Sequence, residues 1–487
     1  MNKLELENYL WGAAITLRGK IDAGDYKQYI FPLLFFKRIC DVYDEEFNNA
    51  LKRSNGDKEF ANFRENYRFE IPKNSHWNKI REITTNVGAA LQKAMKSIEK
   101  ANPKSLNGIF GDASWTNKDR LSDSTLIELI EHYSKHKLNL SNIPDDKLGN
   151  AYEYLIKKFA DDSGHTAAEF YTNRTVVKLM TMVMNPQPGE SIYDPTCGSG
   201  GLLLNCALHL KSESKEYRSL KLYGQEVNLI TSSIARMNMF LHGIEEFKIT
   251  RGDTLRNPSF IENDELKKFD IILANPPYSI KSWNQKNFEN DPFGRNLWGT
   301  PPKGCADYAF QQHIQKSLNI KNGRSITLWP HGILFRDKEK NIRKKMIEQD
   351  LVECIIGLGP NLFFNSPMES CLVVTKNNKS KNKKGKILFI NAVKEVIHQP
   401  SVSYLENAHI KKIFQTYKKF ENIKNFSALV DNKDVLSNNS NMSISLYVQP
   451  EQKDQNNFDI ETMYSKWIKA NNDLELEMNK LINILGK

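Results

Sequence analysis

The chain has 487 residues, 40% hydrophobic and 26% charged, which is the make-up of an ordinary soluble protein with room for two or three domains. Lysine and arginine number 68 against 58 acidic residues, and the net charge of +10 is compatible with a nucleic-acid partner and equally with solubility. No apolar run of membrane-spanning length and no basic leader before an apolar stretch is present, so the expected location is the cytoplasm, with no membrane partner.

Residues 1–150 read as a helical domain, with helices expected over 4–17, 26–43 (kinked at Pro32), 77–98 and 126–136. The aromatic-rich run 29–36 is core by its composition. No catalytic constellation stands in this region, which suggests recognition or assembly. A helix over 148–159 leads into the next domain. From about residue 165 strands and helices alternate, the signature of a doubly wound α/β sheet, and residues 151–400 are assigned to it. Strands are expected at 191–194, 221–225, 248–250, 269–274, 325–329, 352–357, 371–375 and 387–391. Helices are expected at 176–184, from 202, and at 229–241, 308–318 and 338–349. The lysine-rich stretch 376–386 reads as a solvated hairpin turn, with a phosphate contact as the second possibility. Residues 401–487 are expected to be a helical C-terminal region. Within it Tyr464, Trp467, Asn471, Leu474, Met478, Leu481 and Leu485 are spaced 3, 4, 3, 4, 3, 4, a short coiled-coil seam with one polar interruption. Such a seam serves either partner docking or packing on its own domain.

The chemistry gathers in the middle of the chain. Ile271 to Ala274 form an apolar run typical of a parallel strand buried on both faces. Asn275-Pro-Pro-Tyr278 ends it. Pro276 and Pro277 fix φ and carry no N–H, so Asn275 Oδ1 and the Pro276 carbonyl are left as acceptors beside the flat ring of Tyr278. Two acceptors and a stacking plate at the carboxyl end of a strand suit a planar group bearing an NH2. Upstream, Asp194-Pro-Thr-Cys-Gly-Ser-Gly-Gly201 is a glycine-rich strand-to-helix turn, in which glycines allow close backbone approach and a helix N-terminus offers N–H groups. It departs from G-x-G-x-x-G, and nothing else points to hydride chemistry. Glu226 follows on the next strand, where an acid is the expected partner of ribose hydroxyls, and Asp253 ends a third. A carboxylate there, or its neighbouring backbone, can accept from an adenine amino group. The six cysteines form no C-x-x-C pair and the histidines no H-E-x-x-H, so no metal site is expected.

Together these blocks resemble an S-adenosylmethionine-dependent amino-methyltransferase of the adenine-N6 type, and more closely the methyltransferase (M) subunit of type I restriction-modification systems. The resemblance rests on Glu169-Phe-Tyr-Thr-Asn-Arg174, the glycine turn, Gly224-Gln-Glu-Val-Asn228, Ala235-Arg-Met-Asn-Met-Phe-Leu-His242, Asn275 to Tyr278, Asn361-Leu-Phe-Phe364 and Met442-Ser-Ile-Ser-Leu-Tyr447. It implies a Rossmann-like domain with a mostly parallel seven-stranded sheet and S-adenosyl-L-methionine as cofactor. The cofactor set is then Glu169, Phe170, Tyr171, Thr172, Asn173, Arg174, Asp194, Thr196, Gly198, Ser199, Gly200, Gly201, Glu226 and Asp253. Asn275, Pro276, Pro277 and Tyr278 form the catalytic group that holds the target base. Double-stranded DNA, a specificity (S) subunit, a restriction (R) subunit and a second M subunit in an M2S1 complex are the implied partners. The family usually has proline where this chain has Asn173, which implies a less rigid loop. The alternatives are a stand-alone amino-methyltransferase acting on DNA, RNA or protein glutamine, and a non-catalytic DNA-binding scaffold.

Overall fold

The computed structural model describes residues 1–162, 171–362, 368–399, 402–449 and 460–485. Its N-terminal part is helical: α1 (Lys3–Leu17), α2 (Lys27–Arg53), α3 (Trp77–Arg81), α4 (Val87–Ala101), α5 (Asp123–Ser134) and α6 (Asp145–Asp162). A capping box between Asn2 and Glu5 starts α1, and Ser122 caps α5. Pro32 lies in the second turn of α2, and the helix continues ten residues beyond its expected end at Tyr43. The single helix expected over 77–98 is two. Asn86 takes a left-handed conformation (φ 52°), which two preceding β-branched threonines favour over continued helix. The Asp123 carboxylate then accepts from the N–H groups of Asn86 and Val87 at 3.0 and 2.9 Å, capping α4 from another helix.

The helical part is cemented by rings. Phe31 on α2 lies 4.7 Å from Tyr152 and 5.4 Å from Phe159, both on α6. Phe35 and Phe69 meet Phe240, which belongs to a helix of the sheet layer, α9 (Leu229–Leu241). One apolar cluster therefore spans both parts of the molecule.

The sheet consists of β1 (Ser191–Asp194), β2 (Lys221–Glu226), β3 (Phe247–Arg251), β4 (Ile271–Ala274), β5 (Arg324–Pro330), β6 (Val352–Leu358), β7 (Ser370–Lys376), β8 (Lys386–Ala392) and β9 (Ser427–Asp431). Their order is β9-β8-β6-β7-β5-β4-β1-β2-β3. Strands β3 through β5 are parallel, while β7 runs against β5 and β6. The sheet is thus doubly wound and mainly parallel, with nine strands among the described residues, against eight expected from the sequence pattern and the seven that the resemblance implies. β8, expected over 387–391, is parallel to β6, and the strand not expected is β9, antiparallel to β8. Helices α7 (Arg174–Met184), α8 (Gly201–Ser212) and α12 (Asn407–Lys419) cover one face, and α10 (Asp307–Ser317) and α11 (Lys340–Glu348) the other.

The start of the region read as helical tail therefore lies in the sheet layers. Ile410 and Ile413 of α12 are buried with the core, and β9 closes the edge with half-exposed residues that give little alternation to read. The lysine-rich stretch is a turn but not the solvated hairpin expected, because β6 lies between the strands it joins. Lys379 is buried and binds Asp350 at 2.7 Å, and Lys383 binds Glu353 at 3.1 Å. It joins the end of antiparallel β7 to the start of β8, which is the edge of the sheet opposite the ligand-binding ends of the parallel strands. The last helix, α13 (Ile460–Leu485), turns its seam to solvent: Tyr464, Trp467, Leu474, Met478 and Leu481 are each more than half exposed. Among the described residues no helix is long and apolar enough to cross a membrane.

Replacing fully buried Phe31 by alanine removes the ring that joins α2 to α6. This is expected to cost about 3–5 kcal/mol of stability, read as a lower urea midpoint with little change in slope.

Candidate active site

The strand order reverses between β1 and β4: from β1 the chain moves outward to β2 and β3, then returns to β4 on the other side. The crevice at such a point opens at the carboxyl ends of the strands. Here those ends carry Asp194 on β1, Glu226 on β2, and Asn275 just beyond β4.

Two adjoining hollows occupy the crevice. The larger, of about 410 Å³, is lined by Thr196, Glu226, Asp253, Asn275, Pro276, Pro277 and Tyr278, together with Ile280, Trp283 and Phe310. The smaller is lined by Thr172, Arg174, Asp194, Thr196, Gly198, Ser199 and Gly201, and again by Asn275. Asn275 and Thr196 form the wall that both share.

The glycine turn is shaped by its backbone. Gly198 and Gly200 hold positive φ of 52° and 79°, a conformation that side chains disfavour, and Gly200 caps the start of α8. At Gly201 a Cβ would stand 1.8 Å from Arg174 Nη1, so only glycine admits the guanidinium beneath the turn. That guanidinium forms an ion pair with Glu153 and lies 4.7 Å over the Tyr171 ring. Asn238 of α9 donates to Glu153 at 3.3 Å and to the Ser199 carbonyl at 3.1 Å. Arg174 Nε and Nη1 and Thr196 Oγ1 are buried without a hydrogen-bond partner.

Glu226 accepts from Gly198 N–H at 3.0 Å and Asn228 N–H at 2.8 Å. Asp253 accepts from Leu255 and Arg256 N–H groups, closing its own turn at the cleft edge. Burial pushes Asp194 up to about 8, with the Glu226 charge adding to the rise and the Thr196 N–H working against it. At Asn275 the side chain is held on both sides: Nδ2 donates to Thr172 Oγ1 at 3.1 Å, and Oδ1 accepts from Tyr278 O–H at 3.0 Å. Burial pushes the Tyr278 phenol well above its usual range, so it stays a neutral donor.

Most residues singled out from the sequence therefore meet in this crevice, but not all line it. Tyr171 supports Arg174 from below, Gly200 acts through its backbone, and Asn173 turns its amide away to Leu362 and Ser403. Glu169 and Phe170, and Phe363 and Phe364 of the later block, lie outside the described residues. Sequence reasoning missed the segment after Tyr278, which supplies Ile280 and Trp283. It also missed buried Arg295, which pins that segment to the Thr254 and Leu255 carbonyls at 2.9 Å each while paired with Asp291. An arginine and an aspartate four residues apart in a Gly- and Pro-containing loop was the available signal.

The sheet order, the glycine turn and the Asn-Pro-Pro-Tyr strand end define the class: the fold of S-adenosylmethionine-dependent methyltransferases. Residues 144–456 match the N-6 DNA methylase family and residues 6–133 the HsdM N-terminal domain. The methylase subunit of the type I restriction enzyme MjaVIII of Methanocaldococcus jannaschii is 31% identical over 481 residues, covering 92% of this chain and 79% of that protein. That of MpnII of Mycoplasma pneumoniae is 28% identical, covering 92% and 89%. A solved type I restriction-modification methyltransferase subunit from Streptococcus thermophilus superposes with a TM-score of 0.79 at 30% identity, over 92% of this chain and 100% of that one. The chain belongs to the N-6 DNA methylase family, among the methylase subunits of type I restriction enzymes.

The Asp194 shift has a sign that can be checked. Its carboxyl binds a proton in the folded protein up to about pH 8, whereas an unfolded aspartate releases it near pH 4, so this group makes stability fall as pH rises through that window. The melting temperature of Asp194→Asn is expected to fall less steeply from pH 5 to 8 than that of the natural chain; parallel curves would show that Asp194 is ionised throughout.

Proposed function

We propose that this chain is the methyl-transferring subunit of a type I restriction-modification system and that it methylates adenine N6 in double-stranded DNA in the cytoplasm. The observation that carries the reading is the Asn275 amide, set at the reversal of strand order in the wall between the two hollows. S-adenosyl-L-methionine is the donor of choice on this reading. Arg174 Nε and Nη1 and Thr196 Oγ1, buried and unpartnered beside the smaller hollow of about 20 Å³, are the polar atoms that a carboxylate and amino-acid end would meet, and Glu226 at the larger one fits ribose hydroxyls. When bound, the cofactor supplies an electrophilic methyl group on a sulfonium.

The chain's own residues prepare the nucleophile. Adenine N6 is weakly nucleophilic because its lone pair is delocalised into the ring. An amide oxygen has two lone pairs, so Asn275 Oδ1 can keep the Tyr278 hydroxyl and still accept one N6 hydrogen. The Pro276 carbonyl accepts the other, and the nitrogen is drawn toward a pyramidal form with its lone pair directed at the methyl group. Rate enhancement then comes from positioning and fixed dipoles, with no general base ahead of transfer. Adenine cannot reach this crevice from inside a duplex, so it leaves the stack and lies on the Tyr278 ring.

The related proteins are named as methylase subunits of type I restriction enzymes, which supports assembly with other subunits of such an enzyme. On this reading the partners are those the family resemblance implies, a specificity subunit shared by two copies of this chain and a restriction subunit. The exposed seam of α13 is the docking element on this reading, and residues 1–150 serve DNA contact and assembly. Sequence choice then lies with the partner.

Incubation with radiolabelled S-adenosyl-L-methionine and DNA, with the cognate specificity subunit, is expected to yield N6-methyladenine on nucleoside analysis. Asn275→Ala should abolish transfer while cofactor affinity, measured by calorimetry, survives. Label on cytosine, RNA or protein would refute the substrate assignment, and full activity of Asn275→Ala would refute the site.

A further inference from the structure

In the orientation that transfer needs, the Asn275 amide turns its oxygen to the base, and its NH2 must find an acceptor elsewhere. Asn275 is half-buried, and the acceptor that its NH2 finds there bears on how well the reactive orientation is held. The acceptor present is Thr172 Oγ1, at 3.1 Å from Nδ2. Thr172 comes from a segment more than a hundred residues earlier in the chain, neither helix nor strand, and such a segment needs a fastening to keep a hydroxyl in place.

Asn173 supplies it. This side chain is 6% exposed and makes four hydrogen bonds. Its Nδ2 donates to the Leu362 carbonyl at 3.1 Å and to the Ser403 carbonyl at 2.8 Å. Its Oδ1 accepts from Thr175 N–H at 3.0 Å, capping α7, and from Thr175 Oγ1 at 2.7 Å. Thr175 Oγ1 in turn accepts from Leu405 N–H at 3.0 Å. Three remote segments, around 173, 362 and 404, are joined through one amide. The residue that the sequence marked as a loosening of the loop is the point at which it is bound. Proline at this position would supply neither the bonds to Leu362 and Ser403 nor the cap.

We propose that Thr172 is a positioning residue for methyl transfer: its hydroxyl accepts the Asn275 NH2 so that the amide oxygen faces the base, and Asn173 cross-links the loop to hold Thr172 there. The inference rests on the reading of Asn275 given above. It assigns Thr172 a role in the transfer step, distinct from the cofactor contact that the family resemblance implies.

The test uses the full chain with its cognate specificity subunit, and compares kcat on DNA with the cofactor dissociation constant from calorimetry. Thr172→Val keeps the shape and removes the acceptor; kcat is expected to fall about tenfold or more with the dissociation constant essentially unchanged, which also shows that the variant is folded. Thr172→Ser restores the acceptor and should recover most of kcat. Asn173→Pro is expected to lower kcat in the same sense. A raised dissociation constant at unchanged kcat in Thr172→Val would make Thr172 a cofactor contact and overturn the inference. An unchanged kcat in Asn173→Pro would overturn the fastening role. A natural chain that methylates no adenine would overturn the reading of Asn275 itself and this inference with it, a result read without any variant.

Discussion

Strand β4 is buried at all four of its residues, so the chain can place a polar group on the central axis of the sheet only where that strand stops. It stops at Asn275, because the two prolines that follow cannot donate to a ladder. The strand beside it, β1, leads its crossovers the other way, and the gap this leaves is where Asp194, the glycine turn and Asn275 come together. The rest of the architecture serves that gap. Strands β2 and β3 bring Glu226 and Asp253 to the same edge, and the loop fixed by Arg295 supplies the far wall.

The helical part is joined to this site by more than a linker. Glu153 on α6 reaches Arg174, and Asn238 on α9 connects Glu153 to the Ser199 carbonyl of the glycine turn. Arg236, on the same helix, donates to the Asn107 and Ser105 carbonyls at 2.6 Å each. The aromatic cluster from Phe31 to Phe240 runs alongside these bonds. The helical part and the floor of the glycine turn are thus held to each other by side chains in direct contact.

Much of this was legible in the sequence because it is written in local chemistry. The apolar run 271–274 closed by two prolines, and the glycines at 198, 200 and 201, specify a strand end and a tight turn whatever surrounds them. The helix over 229–241 was readable to the residue from its apolar spacing. What was not legible depends on contacts between distant segments. Asn86 breaks a helix that periodicity alone would continue, and Asp123, thirty-seven residues away, makes the break stable. The edge strand β9 has no alternation to detect. Asn173 read as a missing proline, since nothing nearby shows that Leu362 and Ser403 wait for its amide. The Thr172 to Asn275 bond spans 103 residues and leaves no periodic trace.

On the proposed function, a base leaves the duplex and lies on the Tyr278 ring with its amino group at the Asn275 amide. Substituting 5-iodouracil for the target adenine, irradiating the complex with the specificity subunit, and mapping the cross-linked peptide by mass spectrometry addresses it directly. A cross-link at Tyr278 is expected, lost when the iodinated base is moved to a neighbouring position in the duplex. A cross-link confined to the helical part, or equal yields at every position, would contradict it.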